Sequence, residues 1–184
     1  LVNCLSFETD IEDIYLRGDF CVETPEMEPG AKNTLLTDGP FRVTLPRKYV
    51  NLNSLAADGF PFFAGTIRVR VPFVAEGTET KLRLNGRFAV AKISVNGGKE
   101  HMLMFTDEAD ISGDVRPGEN MMTLELTNSC RNLYGPFHNP DDPESFSISP
   151  MSFTLSGTWQ DGKSPKYTNR YAFTRFGIDT IELG

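Results

Sequence analysis

A two-residue alternation of apolar and polar side chains recurs along the middle of the 184-residue chain. It is clearest at 67–73, 89–95 and 122–126, where every second residue is aliphatic or aromatic. This spacing puts the apolar side chains on one face of an extended strand, so it predicts half-buried β-strands. A long 3.6-residue period is missing, and the best helix candidate, 51–58, is one or two turns at most. The expected fold is therefore all-β.

Glycine and proline punctuate this pattern, with 16 and 12 copies. The residues Asn96-Gly97-Gly98 tolerate positive φ and predict a hairpin, and 116–120 predicts a second turn. Many short strands joined by such turns indicate an antiparallel β-sandwich of the jelly-roll type. We expect a single domain over 1–184, excised from a larger multidomain protein, with long loops at 23–40 and 134–150.

Charge and cysteine content limit the partners. The chain has 25 acidic and 18 basic residues, a net charge of −7, whereas nucleic acids and anionic membranes need a basic surface. Neither is therefore an expected partner. The three cysteines Cys4, Cys21 and Cys130 have no zinc-site spacing. Cys4 and Cys21 could pair if the segment between them is a hairpin, but buried free thiols are the favoured interpretation.

The segment 81–97 carries a family resemblance. Its Leu-x-Leu-x-Gly strand followed by Ala-x-x-x-Val-Asn-Gly resembles the sugar-binding domain of glycoside hydrolase family 2. The resemblance continues through Asp-Ile-Ser at 110–112, Pro-Gly-Glu-Asn at 117–120 and the strand at 122–126, and it includes the earlier strand at 65–73. Together these pieces cover about 59–130 in the right order.

The resemblance implies a galactose-binding-domain-like jelly roll, a group with many carbohydrate-binding modules and non-catalytic glycosidase domains. No catalytic residue of family 2 transfers, because its catalytic barrel is absent here. The stretch 128–138 departs from that family. It is similar instead to an Arg-Asn-Leu-Leu-Gly-Pro-His-His loop of jelly rolls attached to rhamnosidase-like bacterial glycosidases, with Phe137 in place of one histidine.

Sugar binding uses aromatic rings that face the C–H side of a sugar and planar polar groups that bind pairs of hydroxyls. The candidate carbohydrate-binding residues are Arg131, Asn132, Tyr134, Phe137, His138, Trp159, Asn85 and Arg87. Each has an alternative. The loop aromatics could fold inward as a plug while Arg131 binds backbone carbonyls, Trp159 could be core or rim, and Asn85 and Arg87 could belong to a turn.

Catalytic chemistry has little support. The chain has two histidines and no Gly-x-Ser-x-Gly elbow, and with 25 acidic residues the sequence cannot nominate a glycosidase carboxylate pair. Asp141, Asp142 and Glu144 form either a solvated acidic loop or a structural Ca²⁺ site, because Ca²⁺ prefers oxygen ligands. Beyond this possible Ca²⁺ no cofactor is predicted.

Three functional hypotheses follow. The first is a non-catalytic carbohydrate-binding module of a bacterial glycoside hydrolase in polysaccharide degradation, with an oligo- or polysaccharide and the parent catalytic domain as partners. The second is a structural accessory domain that packs on the catalytic domain without binding free glycan. The third, an enzyme in its own right, is the least favoured. The sequence does not fix the location, and an extracellular or bacterial cell-surface one is favoured.

Overall fold

The computed structural model describes residues 15–135, 138 and 170–184. These residues form twelve β-strands and one turn of 3₁₀ helix at Leu52–Ser54. The strands are β1 (Cys21–Glu23), β2 (Glu28–Pro29), β3 (Thr34–Thr37), β4 (Arg42–Thr44), β5 (Gly65–Ala75), β6 (Lys81–Arg87), β7 (Val90–Val95), β8 (His101–Leu103), β9 (Glu108–Asp110), β10 (Gly118–Asn128), β11 (Tyr171–Thr174) and β12 (Gly177–Leu183).

The body of the fold is a pair of antiparallel sheets with the strand orders β5-β10-β7-β8 and β12-β6-β9. In β10 every second residue from Asn120 to Leu126 is buried, as the alternation predicted. The other sheet contributes Leu82 and Leu84 of β6 to the same contiguous core. Each fully buried aliphatic side chain of this kind contributes about 1.5–3 kcal/mol.

The chain crosses repeatedly between the two sheets. It passes from β5 in the first sheet to β6 in the second, returns to β7, and repeats the crossing through β9 to β10. Such wrapping of consecutive strands around one core is the connectivity of jelly rolls. The prediction of an all-β antiparallel sandwich is confirmed.

The turn after β7 has the predicted conformation. Asn96 and Gly97 have φ values of 52° and 76°, as a type I′ turn requires at both central positions. The side-chain amide of Asn96 donates to Oδ1 of the buried Asn120 at 2.7 Å. The Asn120 amide in turn donates to the carbonyl oxygens of Arg116 and Gly118, each at 2.8 Å. These bonds join the two turns that the sequence indicated.

The prediction of a long loop at 23–40 is wrong, because this segment contains β2 and the fully buried strand β3. In a third sheet of order β11-β3-β2, Thr37 lies opposite Tyr171 and Thr34 opposite Thr174. The four-residue run of β3 is too short to show a period, and its partner strand lies at the far end of the chain. Local pattern therefore could not reveal it.

Three smaller predictions can also be compared with the structure. Cys21 is buried with a free thiol and Cys130 is exposed and free, which confirms the buried-thiol interpretation for Cys21, whereas Cys4 lies outside the described residues. The helix candidate at 51–58 contains the single 3₁₀ turn, capped by Asn51, whose Oδ1 accepts from the Asn53 N–H at 3.0 Å. Within the described ranges no helix has the length and apolar character needed to cross a membrane.

Candidate functional site

The loop that follows β10 is fixed to the outer edge of β11 by one side chain. Asn132, 2% exposed, donates from Nδ2 to the carbonyl oxygen of Thr174 at 2.9 Å. Its Oδ1 accepts from the N–H of Thr174 at 2.8 Å. The amide thus takes the place that a neighbouring strand would occupy beside β11. Both polar atoms of the Asn132 side chain are therefore bonded within the fold. The sequence predicted that Asn132 contacts a ligand, and this ligand contact stays a prediction.

The aromatic side chain of this loop faces outward. Tyr134 is 73% exposed, and its ring meets that of Tyr15 edge to face, with centroids 6.2 Å apart. The alternative in which Tyr134 plugs the interior is therefore wrong. An edge-to-face partner restrains a ring without covering both of its faces, so Tyr134 presents a surface that can stack on a sugar. Arg131, three residues earlier in the same loop, is half-buried.

The same loop reaches the other end of β11 through His138. The imidazole lies 4.5 Å from the ring of Tyr171, centroid to centroid. Behind Tyr171 stands an aromatic cluster in which Phe41 is 4.9 Å from Tyr171 and 5.0 Å from Phe62. Both contacts are edge to face, a geometry that aromatic pairs prefer and that orients each ring. Asn132 therefore binds at the Thr174 end of β11, and His138 packs at the Tyr171 end.

A cluster of charge lies at the end of the sheet β11-β3-β2, where Arg170 precedes β11. Arg170 lies between two exposed carboxylates, with Nη2 at 3.0 Å from Oε2 of Glu28 and Nε at 3.2 Å from Oδ1 of Asp38. The hydrogen bond to Glu28, ahead of the field of Asp38, raises the pKa of Arg170 above its ordinary value. The guanidinium therefore stays charged and holds both carboxylates at the end of the sheet β11-β3-β2.

Asn85 and Arg87 belong to a different part of the surface. Both are exposed residues of strand β6, so the alternative that a turn explains them is wrong. Asn85 Nδ2 donates to Thr180 Oγ1 at 3.2 Å on the neighbouring strand, and Arg87 lies opposite Gly177. Because Gly177 follows Thr174 by three residues, its Cα lies within about 11 Å of the loop anchor. Arg87 therefore lies at the end of β6 that is nearer to the loop anchor, and Asn85 lies further along the strand.

Several predicted residues fall outside the described part of the chain. Phe137 and Trp159 do so, as does the acidic stretch at 141–144. Their proposed contacts with sugar or Ca²⁺ stay predictions. In the described ranges, no group of three or more histidine, cysteine, aspartate or glutamate side chains is placed to hold a metal ion.

A depression of about 410 Å³ lies elsewhere, beside β9, and is lined by Thr80, Lys81, Thr106, Glu108, Ala109, Asp110 and Ser112. Asp110 Oδ1 accepts from the hydroxyl of Ser112 at 2.6 Å and from its N–H at 3.0 Å. These bonds lower the pKa of Asp110, the hydroxyl bond first. The lining holds no aromatic ring and none of the predicted site residues, so this depression lacks a stacking surface.

Sequence reasoning missed the residues that complete the site at β11. Tyr171 was recognised only as part of a closing strand, and Arg170, Asp38, Glu28 and Phe41 were not singled out. They converge because β3 pairs with β11, a contact across most of the chain. The only local signal was the run from Tyr171 to Phe173, which predicts a strand and gives no partner for it.

Comparison with known proteins gives no match to a protein-family model or to a curated protein. Among solved structures, the chain is similar to a β-D-glucuronidase from Dictyoglomus thermophilum, with 18% identity, a TM-score of 0.32 and coverage of 61% of this chain. It is also similar to a rhamnosidase from Novosphingobium sp. PP1Y, with 19% identity, a TM-score of 0.38 and 68% coverage. The chain spans 19% and 12% of the length of those two glycosidases.

Proposed function

We propose that the chain is a non-catalytic β-sandwich domain of a bacterial glycoside hydrolase and that it binds carbohydrate. The observation that carries the proposal is the exposed ring of Tyr134, presented by a loop that Asn132 fixes to a strand. The resemblance of 59–130 and of the loop at 128–138 to glycosidase-attached jelly rolls supports the same assignment.

The mechanism follows from the arrangement of the site. The ring of Tyr134 stacks on the C–H face of a sugar, while polar groups around His138 hydrogen-bond its hydroxyls. Fixing the loop in advance reduces the ordering cost of binding. A small open site of this kind gives a dissociation constant in the mM to μM range, about −4 to −8 kcal/mol.

A glycan array of plant, mucin and microbial saccharides tests the proposal directly. The full chain, checked for folding by circular dichroism, is expected to bind at least one glycan class and to release no sugar from aryl glycosides. Binding to none of the glycans by the folded chain contradicts carbohydrate binding. Release of sugar contradicts the non-catalytic assignment and favours an enzyme.

Exposed apolar side chains favour a second candidate, a structural domain that packs on a catalytic domain. Phe105, two residues after β8, is 97% exposed, and Met102 and Met104 are also exposed. Exposed apolar side chains that form a patch mark interaction sites. Under this alternative the folded chain binds no glycan, and a Met104→Ser, Phe105→Ser variant loses the dye binding and self-association that the exposed patch causes. A folded chain that binds glycan and shows neither property argues against it.

A further inference from the structure

Strand β5 forms one edge of the sheet β5-β10-β7-β8. It runs for 11 residues from Gly65 to Ala75, and in the part of the chain that the structure describes β10 is its only neighbour in the sheet. It is the longest edge strand of the described sheets. An edge strand presents a row of unpaired backbone N–H and C=O groups, on which another strand can pair.

The bonds of β10 show which groups of β5 point to this edge. The Met121 N–H donates to Asn96 Oδ1 at 3.0 Å, and the Met121 carbonyl accepts from the Asn96 N–H at 2.8 Å. Because Asn96 follows β7 on the other side of β10, both groups point away from β5. Met121 lies opposite Pro72. Bonded and unbonded positions alternate in antiparallel pairs, so every second residue counted from Pro72 directs its backbone groups to the edge.

The outward positions of β5 are not equivalent. Thr66, Arg68 and Arg70 each present an N–H donor and a C=O acceptor, whereas Pro72 has no N–H. Proline on an edge strand stops a ladder of hydrogen bonds at its position. The part of the edge on which a strand can pair therefore covers 66–70, a length that suits a short extended segment.

The core-facing side chains of β5 are incompletely covered. Ile67, Val69 and Val71 pack against the core but are only half-buried. Leu126 and Leu124, which lie opposite the first two on β10, are 0% exposed. The difference arises because β10 has a strand on both sides and β5 has one on a single side. Apolar side chains of an added strand would bury this area, which favours association.

The solvent-facing side chains of β5 select the charge of an added strand. The guanidinium of Arg68 pairs with the carboxylate of Glu125 on β10. Arg70 is exposed and lies opposite the uncharged Thr123, so its neighbour on β10 does not neutralise it. Side chains directly opposite each other on paired strands interact, and opposite charges stabilise the pair. A carboxylate facing Arg70 is therefore favoured and an ammonium group is disfavoured.

The same charges disfavour a second copy of β5 as the added strand. When two segments 66–70 overlap fully in an antiparallel pair, Arg68 of one copy lies opposite Arg68 of the other. Like charges in this position destabilise the pairing. The edge is therefore poorly suited to self-association and better suited to a segment of a different, acidic sequence.

We infer that the β5 edge, defined as residues 66–70, is a docking site for a short extended segment of a partner protein in which carboxylates alternate with apolar side chains. The segment adds antiparallel to β5, as in all the strand pairs of the described ranges. Its carboxylates face Arg68 and Arg70, and its apolar side chains cover Ile67 and Val69. This role is additional to carbohydrate binding and does not depend on it.

Amide hydrogen exchange of the full chain, followed by NMR, tests the docking site residue by residue. The probe is a short, end-blocked peptide in which valine alternates with glutamate. We expect it to slow exchange of the Thr66, Arg68 and Arg70 N–H groups, because pairing protects them. The same peptide with lysine in place of glutamate is expected to leave their exchange unchanged. Protection by neither peptide, or equal protection by both, would overturn the inference.

N-methylated peptides separate strand pairing from general attraction between charges. In the antiparallel register the glutamate N–H groups bond to β5 and the valine N–H groups point away. Methylation of the glutamate nitrogens is therefore expected to abolish binding, and methylation of the valine nitrogens is expected to preserve it. Equal effects of the two modifications would contradict pairing on β5.

A charge reversal tests the selectivity. Arg70→Glu is expected to lose about tenfold in affinity for the glutamate peptide and to gain affinity for the lysine peptide. Arg116→Glu, at an exposed position outside 66–70, is the matched control and binds like the native chain, with circular dichroism confirming that both variants fold. Unchanged affinity of Arg70→Glu would overturn the inference. Protection of the outward N–H groups that appears without peptide and rises with chain concentration would assign the edge to a second copy and overturn it as well.

Discussion

Asn132 and Thr174 exchange two hydrogen bonds, one from the side-chain amide to the backbone carbonyl at 2.9 Å and one from the backbone N–H to the amide oxygen at 2.8 Å. The pair is more than forty positions apart in sequence and joins the loop after β10 to strand β11. Because the loop carries the exposed Tyr134, this single pair positions the aromatic surface of the candidate site.

Replacing Asn132 with alanine is expected to lower the free energy of unfolding by about 1–3 kcal/mol, because the N–H and carbonyl of Thr174 lose their partners in a buried environment. Glycan affinity is expected to fall as well, since the loop is no longer held. Urea denaturation measures the first effect and calorimetry the second. Asn85→Ala, at an exposed position with one hydrogen bond, is the control and changes stability by no more than about 0.5 kcal/mol.

The contact between Asn96 and Asn120 leads to a second prediction. Asn120→Ala removes the acceptor for the Asn96 amide and the donor for two backbone carbonyls. We expect a loss of about 2–3 kcal/mol in unfolding free energy, because these groups are left unpaired in a largely buried turn. Thermal or urea unfolding measures it. A loss no larger than that of an exposed Asn53→Ala control would show that the network joining the two turns contributes little.

Sequence reasoning succeeded where neighbours along the chain determine the structure. The alternation at 67–73, 89–95 and 122–126 predicted the central strands, and Asn96-Gly97 predicted its turn, because period and positive-φ residues act locally. It failed at β3, which is too short to show a period, and at Arg170 with Glu28, whose contact depends on two strand pairings. The sequence therefore predicted the loop residues of the candidate site. It missed the residues at the end of the sheet β11-β3-β2.

Acid pH provides a third test, at Glu79. The backbone N–H groups of Glu76 and Gly77 donate to its two carboxylate oxygens, each at 2.8 Å. These bonds, that of Glu76 first, hold the pKa of Glu79 below its usual 4.5. A carboxyl with a lower pKa in the folded state stabilises the fold above its unfolded pKa and loses that contribution as the pH falls through the folded pKa.

Native chain and Glu79→Gln are therefore expected to differ in unfolding free energy above about pH 4.5 and to converge as the pH is lowered further. Urea denaturation across this range measures the difference. Glu26→Gln, at an exposed position, serves as the control and should track the native chain throughout. A Glu79→Gln difference that stays constant with pH would mean that the charged form of Glu79 is not what these N–H groups stabilise.

The central claim is that the loop anchored on β11 binds carbohydrate through the ring of Tyr134, and calorimetric titration tests it most directly. The native chain, Tyr134→Ala and Tyr49→Ala are titrated with the glycan that the array identifies. Tyr49 is 80% exposed and lies after β4, so it controls for the loss of any exposed tyrosine. We predict that Tyr134→Ala loses about tenfold or more in affinity, with an unchanged melting temperature, while Tyr49→Ala binds like the native chain. Equal affinity for all three would contradict the account.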